Sequence, residues 1–273
     1  MGIIIKKGKN ENEFLAYDSE NNFLGKGGAY PFIASDLYEN KRHNIYINID
    51  VEESKNKDEI KDHIFDKLLE RAYSIKEENK DLETKVYHCC FSNDKENIDY
   101  YSSKEGFVHD EGMHILRNTM TNLNYKIDPI DNIEITEWPL ATEEEILKFI
   151  HVHKTVFTPG YSIEEVLDFQ KKTGWHNIAA TCNGEIIGDI MVYVIEDDNK
   201  KIGWVEDLLV CKSWRKKGIG KLLIGKALEY FNKIKVDESR LEVWSANDRA
   251  PSLYKKLGYE FYKETESSIG KFI

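Results

Sequence analysis

A dense group of cations and glycines lies between residues 215 and 221 and has the composition of an anion site. Its members are Arg215, Lys216, Lys217, Gly218, Gly220 and Lys221. A helix N-terminus carries partial positive charge, so cations gathered at a predicted helix start are unfavourable unless an anion binds there. Free backbone N–H groups at such an end bind phosphate, and glycine, which lacks a Cβ, lets a ligand approach the backbone closely. The pattern indicates a phosphate or pyrophosphate site, against the alternative of a solvated basic loop.

The elements on either side of this cluster are those that a phosphate cradle requires. Residues 204–210 are an apolar strand candidate, 211–217 a turn, and a helix is predicted from near Gly218. Between Leu222 and Phe231 the apolar residues recur at the spacing of one helix face. The dinucleotide pattern GxGxxG and the P-loop pattern GxxxxGK[ST] are both absent from the sequence. The predicted phosphate site therefore belongs to neither of these two classes.

The cluster resembles motif A of the GCN5-related N-acetyltransferase (GNAT) family in its sequence Arg215-Lys-Lys-Gly218-Ile-Gly220. A downstream pattern, NxxAxxxYxxxGY from Asn247 to Tyr259, is similar to motif B of that family. The resemblance covers about residues 130–270 well and the first half weakly. It implies acetyl transfer from acetyl-coenzyme A (acetyl-CoA), without a metal, to a primary amine of a small molecule or peptide by direct attack.

The same resemblance assigns a cosubstrate-binding set. That set is Leu208, Leu209, Val210, Arg215, Lys216, Lys217, Gly218, Ile219, Gly220, Lys221 and Asn247. In the family, the strand before the cradle splays from its neighbour and offers backbone groups to the pantetheine arm. Here that strand edge is Leu208 to Val210.

Two catalytic roles are also implied by the resemblance. Glu206 lies where family members often hold the general base, and a partly buried carboxylate with a raised pKa can accept the proton of an ammonium group. Asp207 is the second candidate for the base, and strand alternation predicts that it points to the face opposite Glu206. Tyr254 resembles the general acid that protonates the departing thiolate. Cys211, beside the basic loop, is expected to have a lowered pKa without acting as a nucleophile.

Composition excludes several other functions. The chain has 273 residues, 41% hydrophobic and 32% charged, with a net charge of −11 and a pI of about 5.3. This acidity argues against nucleic-acid binding. The four cysteines have no zinc spacing, and His151 and His153, two residues apart, do not share a helix face. This cysteine usage fits a reducing, cytoplasmic setting, and no apolar run approaches the length of a membrane span.

An internal repeat predicts two related α/β domains. Residues 44–80 match 202–236, and the strand ETKVYHCCFSND matches SRLEVWSAND. The predicted fold is two tandem GNAT-like domains, 1–127 and 128–273, each a mixed sheet flanked by helices. Tandem pairs with one degenerate copy occur in the family. Glu52 and Glu53 replace the basic glycine turn in the first copy, and carboxylates there would repel a pyrophosphate, so this copy is expected to be degenerate.

Local patterns predict further elements that frame the site. A helix is predicted over 141–157, a second helix with Ser162 as N-cap and Glu165 completing a capping box, and hairpins turning at 18–22 and at Asn183-Gly184. An alternative function is a non-catalytic module that senses CoA or binds a partner. Transfer of a longer acyl group is a third possibility.

Overall fold

The computed structural model of the chain describes residues 2–34, 40–121, 128–157, 160–247 and 250–273. Its strands are β1 Ile4–Lys7, β2 Glu13–Tyr17, β3 Phe23–Ala34, β4 Arg42–Val51, β5 Thr84–Phe91, β6 Val108–Asn118, β7 Glu134–Glu137, β8 His176–Cys182, β9 Glu185–Asp197, β10 Lys200–Val210, β11 Glu238–Trp244 and β12 Glu260–Phe272. Its α-helices are α1 Lys57–Glu77, α2 Lys95–Ser102, α3 Glu143–Lys154, α4 Ile163–Gln170, α5 Ile219–Lys233 and α6 Ala250–Lys256. A short 3-10 helix spans Lys212–Trp214.

The chain divides into two compact units. The first comprises Met1–Met113, Trp244–Asp248 and Glu264–Ile273, and the second His114–Val243 and Arg249–Lys263. Residues of β6 and β12 therefore belong to both units. The boundary expected near residue 127 stays a prediction.

In the first unit the strand order is β1-β2-β3-β4-β5-β12. The β4–β5 pair is parallel and the other neighbours are antiparallel, so the sheet is mixed. Helix α1 buries one face, including Ile64 and Leu68, in a core that also holds Ile45 and Val86 from β4 and β5. A parallel pair needs a crossover connection, and α1 is that crossover.

The second unit repeats this arrangement around β10 and α5. Its strand order is β6-β11-β10-β9-β8-β7, with β10 and β11 parallel and joined by α5. Leu223, Ala227 and Phe231 of α5 are fully buried against the sheet. Helices α3 and α4 bury Phe149 and Val166 in a further cluster. A mixed sheet flanked by helices in each unit confirms the predicted fold class.

The local predictions agree with the structure at the start of α4 and at the turn between β8 and β9. Both α3 and α4 begin with a full capping box, Thr142 with Glu145 and Ser162 with Glu165, which fixes their first turns. The hairpin β8–β9 turns at Asn183 and Gly184, both with positive φ. Helix α3 ends at Lys154, three residues earlier than predicted.

Candidate functional site

The predicted anion cradle is a left-handed turn that opens directly into α5. Gly218 is the N-cap of this helix with φ of +89°, a conformation that suits glycine and strains other residues. The first N–H groups of a helix have no intrahelical acceptor. Those of Ile219, Gly220 and Lys221 are therefore available at the end of the helix that favours anions.

Packing fixes the position of this helix end. The side chain of Ile219 is buried in the core, so its contribution to an anion site is its backbone N–H. A Cβ added at Gly220 would lie 3.2 Å from Leu253 Cδ2 and 3.7 Å from Leu208 Cδ2. The close approach of these two side chains explains why a glycine suits this position.

The basic side chains surround the turn in different ways. Arg215 Nε donates to Val210 O at 3.1 Å, which ties the loop to the end of β10. Lys217 Nζ lies 4.6 Å from the centre of the Trp214 ring. Lys216 and Lys217 are exposed, Lys221 is half-buried, and Lys216 has a φ of +63°. The predicted cluster thus forms one cationic turn at the start of α5.

Strand β10 parts from β11 just before the cradle. The parallel register of β10 and β11 runs from Ile202 opposite Glu238 to Val205 opposite Leu241, whereas β10 stays paired with β9 as far as Val210. Cys211 N–H donates to Ile187 O on β9 at 2.9 Å. Peptide groups alternate along a strand, so those of Leu208 and Val210 face away from β9. Leu209 is fully buried.

A β-bulge at Glu206 changes the predicted orientation of two carboxylates. The β9–β10 register shifts between Val205 and Asp207, which leaves Glu206 as the extra residue. Glu206 and Asp207 therefore line the same pocket of about 300 Å³, together with His153, Phe157, Gly160 and Tyr161. The expectation that they point to opposite faces was wrong, because strict alternation fails across a bulge.

Glu206 is held by two donors from neighbouring aromatic residues. Its Oε2 accepts hydrogen bonds from Tyr193 OH at 2.8 Å and from Trp204 Nε1 at 3.1 Å. Burial and the bond to Glu206 raise the pKa of Tyr193, so this hydroxyl stays a donor. The carboxylate is half-buried at the pocket, a position compatible with the role of a base.

Asp207 belongs to a cluster that the sequence analysis missed. His153 Nε2 lies 3.0 Å from Asp189 Oδ1, and its Nδ1 lies 3.1 Å from Asp207 Oδ2 without hydrogen-bond geometry. Tyr161 OH donates to the same Asp207 oxygen at 3.2 Å. Asp189 is on β9 and His153 on α3, 36 residues apart, so spacing along the chain gave no signal.

The charges in this cluster support one another. Burial lowers the pKa of His153, but its contacts with Asp189 and Asp207 outweigh burial and raise the pKa to about 9. Burial raises the pKa of Asp189, and the bond from His153 opposes that shift. Each of the two ring nitrogens of the imidazole lies against a carboxylate, so we assign His153 as imidazolium at neutral pH.

Of the two remaining predicted residues, Tyr254 lies within α6 and Asn247 follows β11. Tyr254 is buried, with its ring 5.9 Å from that of Tyr259 in an edge-on arrangement. Burial, and to a smaller extent the Asp207 carboxylate, raise the pKa of Tyr254, which therefore keeps its proton at neutral pH. Asn247 is half-buried, and its backbone N–H donates to Trp244 O at 3.0 Å. Their roles stay predictions.

Cys211 departs from its predicted chemistry. The basic loop was expected to lower its pKa, but burial, with a contribution from Asp189, raises it, and Arg215 opposes this only in part. A thiol with a raised pKa is a poor nucleophile at neutral pH. The four cysteines, Cys211 included, are free. A cytoplasmic location stays a prediction.

The equivalent strand pair in the first unit is closed by side chains. The β4–β5 register ends at Tyr46 opposite Tyr87, and immediately beyond it His88 Nδ1 lies 2.7 Å from Ile47 O. The ring of Tyr101 stacks on His88 at 4.2 Å. In the second unit the residue that follows the last pair on β11 is Glu242, which is exposed.

The comparisons with known proteins agree with this geometry. The model of the acetyltransferase (GNAT) family matches residues 141–259. N-alpha-acetyltransferase 30 of Dictyostelium discoideum is 30% identical over 148 residues, which are 52% of this chain and 80% of that protein. A crystal structure of a GCN5-related N-acetyltransferase from Sphaerobacter thermophilus aligns with a TM-score of 0.52 and 14% identity over 97% of this chain and 82% of that chain, which shows the fold alone.

The chain belongs to the GNAT family and is an acetyltransferase, as the sequence motifs predicted. None of the helices within the described ranges combines the length and apolar character needed to cross a membrane. Among those same residues, no group of three or more His, Cys, Asp or Glu side chains is placed to hold a metal ion.

Proposed function

We propose that residues 128–273 bind acetyl-CoA and transfer its acetyl group to a primary amine of a small molecule or peptide by direct attack. One observation carries the proposal: the left-handed Gly218 opens α5 a short turn after β10, the strand whose pairing with β11 ends at Val205. The first N–H groups of α5 have no intrahelical acceptor, and the β10 backbone that precedes the turn lies beyond the pairing with β11. Membership of the GNAT family supports acetyl-CoA as the donor.

The cradle residues fit a pyrophosphate. The N–H groups of Ile219, Gly220 and Lys221 would donate to its oxygens, and the cations of Arg215 and Lys217 would balance its charge. The backbone groups of Leu208 and Val210 would hold the pantetheine arm. Bound acetyl-CoA supplies an activated thioester carbonyl.

The chain's own groups then account for the proton movements and the charge. Glu206 would take a proton from the acceptor's ammonium, directly or through water, and leave the free amine that attacks. The N–H groups of the parted strand, that of Leu208 first, would donate to the carbonyl oxygen as it gains negative charge. Tyr254, kept neutral by burial, would give its proton to the thiolate. Asp207 is the second candidate for the base.

The first unit is proposed to be a degenerate copy without a cosubstrate site. Two features support this: carboxylates at Glu52 and Glu53 before α1, and the closure of the β4–β5 gap by His88 and Tyr101. A buried, stacked ring occupies the place where backbone groups would have to be free.

Calorimetric titration of the full chain with acetyl-CoA tests both statements. We expect one site per chain. Two sites would contradict the degenerate first unit, and no heat of binding would remove acetyl-CoA as donor. Thiol release is then measured with spermidine, kanamycin and a peptide with a free α-amino group. If acetyl-CoA binds but no thiol is released with any of these amines, the transfer reaction is contradicted. If a longer acyl-CoA competes more strongly for the site, the donor is that longer acyl-CoA and not acetyl-CoA.

A further inference from the structure

The imidazole of His153 is the centre of the most completely buried charged cluster of the second unit. Its side chain and that of Asp189 are both 0% exposed, and Asp207 is 12% exposed at the pocket. The cluster therefore runs from the core to the pocket wall in the order Asp189, His153, Asp207. A buried charge is tolerated only when it is paired, so these three groups depend on one another.

The imidazole has little freedom to move. Its ring lies 4.0 Å from that of Phe149 and 5.3 Å from that of Tyr161, and its Nε2 is fixed by both oxygens of Asp189 at 3.0 and 3.2 Å. His153 Nδ1 is buried, has no hydrogen-bond geometry to any acceptor of the described residues, and lies 3.1 Å from Asp207 Oδ2. A rigid donor thus faces a carboxylate that can still adjust.

We propose that His153 is a positioning residue for the acceptor: anchored by Asp189, it holds the Asp207 carboxylate at the pocket, where that carboxylate receives the ammonium group of the incoming amine. The proposal rests on the proposed function, since it assigns the pocket beside Glu206 to the acceptor. His153 acts only through Asp207 and does not itself touch the amine.

The surroundings of the pocket suit a cationic acceptor. The ionisable groups that face the cluster are Asp189 from β9, Glu206 and Asp207 from β10, and Tyr161 before α4, with Tyr254 and Cys211 close enough for their pKa values to respond to Asp207 and Asp189. Three carboxylates around one imidazolium leave a negative excess. The rings of Phe157 and Tyr161 add aromatic walls, which attract cations.

The test is a double-mutant cycle on the full chain. The variants are His153→Gln, Asp207→Asn and the two combined, with His151→Gln as matched control, an exposed histidine on the same helix. The amine is whichever of spermidine, kanamycin and the peptide gives thiol release. We expect His153→Gln to raise KM for the amine at least tenfold, with the Kd of acetyl-CoA unchanged, and to add little once Asp207 is Asn.

The outcomes distinguish a failure of the positioning role from a failure of the proposed function. If His153→Gln behaves as His151→Gln, or if its effect is fully additive to that of Asp207→Asn, the positioning role is overturned while the proposed function stands. If the wild-type chain releases no thiol, the proposed function fails and this inference fails with it. Asp189→Asn takes the place of His153→Gln in the cycle if the latter does not fold.

The pH profile gives a second readout that a purely structural role would not change. In Asp189→Asn the imidazole loses the contact that most strongly favours its charge. We expect the alkaline limb of kcat/KM for the amine to move by at least one pH unit toward neutral in this variant. An unmoved limb would also overturn the proposal.

Discussion

Substituting Gly220 with glutamate tests the proposed pyrophosphate site. At this position the effect of an added charge can be measured separately from the effect of added volume. Gly220 is the second residue of α5, and its backbone N–H is among those proposed to bind pyrophosphate. A Cβ at this position would press on Leu253 Cδ2 at 3.2 Å, so the neighbour must shift by a few tenths of an ångström. Gly220→Gln adds the same bulk without charge and is therefore the matched control.

The expected effect of the charge follows from Coulomb's law. A carboxylate about 5 Å from a phosphate oxygen costs about 1 kcal/mol at the dielectric constant of water and about 3 kcal/mol at an effective value of 20. The Kd of acetyl-CoA should therefore be roughly five- to 160-fold weaker in Gly220→Glu than in Gly220→Gln. The fold should survive, because an acidic residue in the first turn stabilises a helix.

Calorimetry at two ionic strengths completes the experiment. Salt screens exposed charges, so the difference in Kd between the two variants should shrink between about 0.02 M and 0.5 M NaCl. The steric part, measured by Gly220→Gln against wild type, should not depend on salt. Equal Kd values for the Glu and Gln variants at low salt would refute the placement of the pyrophosphate at this turn.

Three further predictions concern other parts of the second unit. Tyr254→Phe should lower kcat at least tenfold with the Kd of acetyl-CoA unchanged, as expected of a general acid; an unaltered kcat would remove that role. The contacts of His153 with Asp189 and Asp207 raise its pKa to about 9, above the ordinary histidine value of 6.5. The imidazolium should therefore contribute up to about 3 kcal/mol of stability below pH 6.5 and lose it as the pH rises through 9. Urea unfolding at pH 6.5 and 9.5 should show a loss of stability that His153→Gln lacks and His151→Gln keeps. Ser162→Ala should cost about 1 kcal/mol by removing the cap of α4, seen as a lower urea midpoint; no change would mean that water replaces the hydroxyl.

The features that depend on neighbours along the chain could be predicted from the sequence. The capping box of Ser162 and Glu165, the turn at Asn183 and Gly184, and the helix that starts after Gly218 each involve residues within one turn of each other. Their physics is local, since a side chain satisfies a nearby N–H or a glycine adopts positive φ. The family motifs cover the same short range.

The pocket beside Glu206 and Asp207 depends on pairing between segments that are distant along the chain. Glu206 and Asp207 line one wall because β9 and β10 pair with a bulge, and a bulge is a property of two strands. In the sequence, His153 can be considered only as a metal ligand beside His151, because its partner Asp189 is on β9, 36 residues further along the chain. Nothing in the local sequence distinguishes these buried polar residues from exposed ones, because their burial depends on the packing of α3 against β9.

The two parallel strand pairs differ at the point where their registers end. In each unit the parallel register spans four residue pairs and then ends. In the first unit the next side chain, His88, bonds to Ile47 O and is covered by Tyr101, which satisfies the backbone and fills the gap. In the second unit the position that corresponds to His88 is the exposed Glu242 of β11, and the position that corresponds to Ile47 is the bulged Glu206 of β10. Arg215 Nε donates to the last carbonyl of β10, that of Val210. A buried carbonyl must be satisfied, so a gap without an internal partner needs an external one. The first unit supplies that partner from its own side chains, whereas in the second unit the proposed acetyl-CoA would supply it to the backbone beside Leu208.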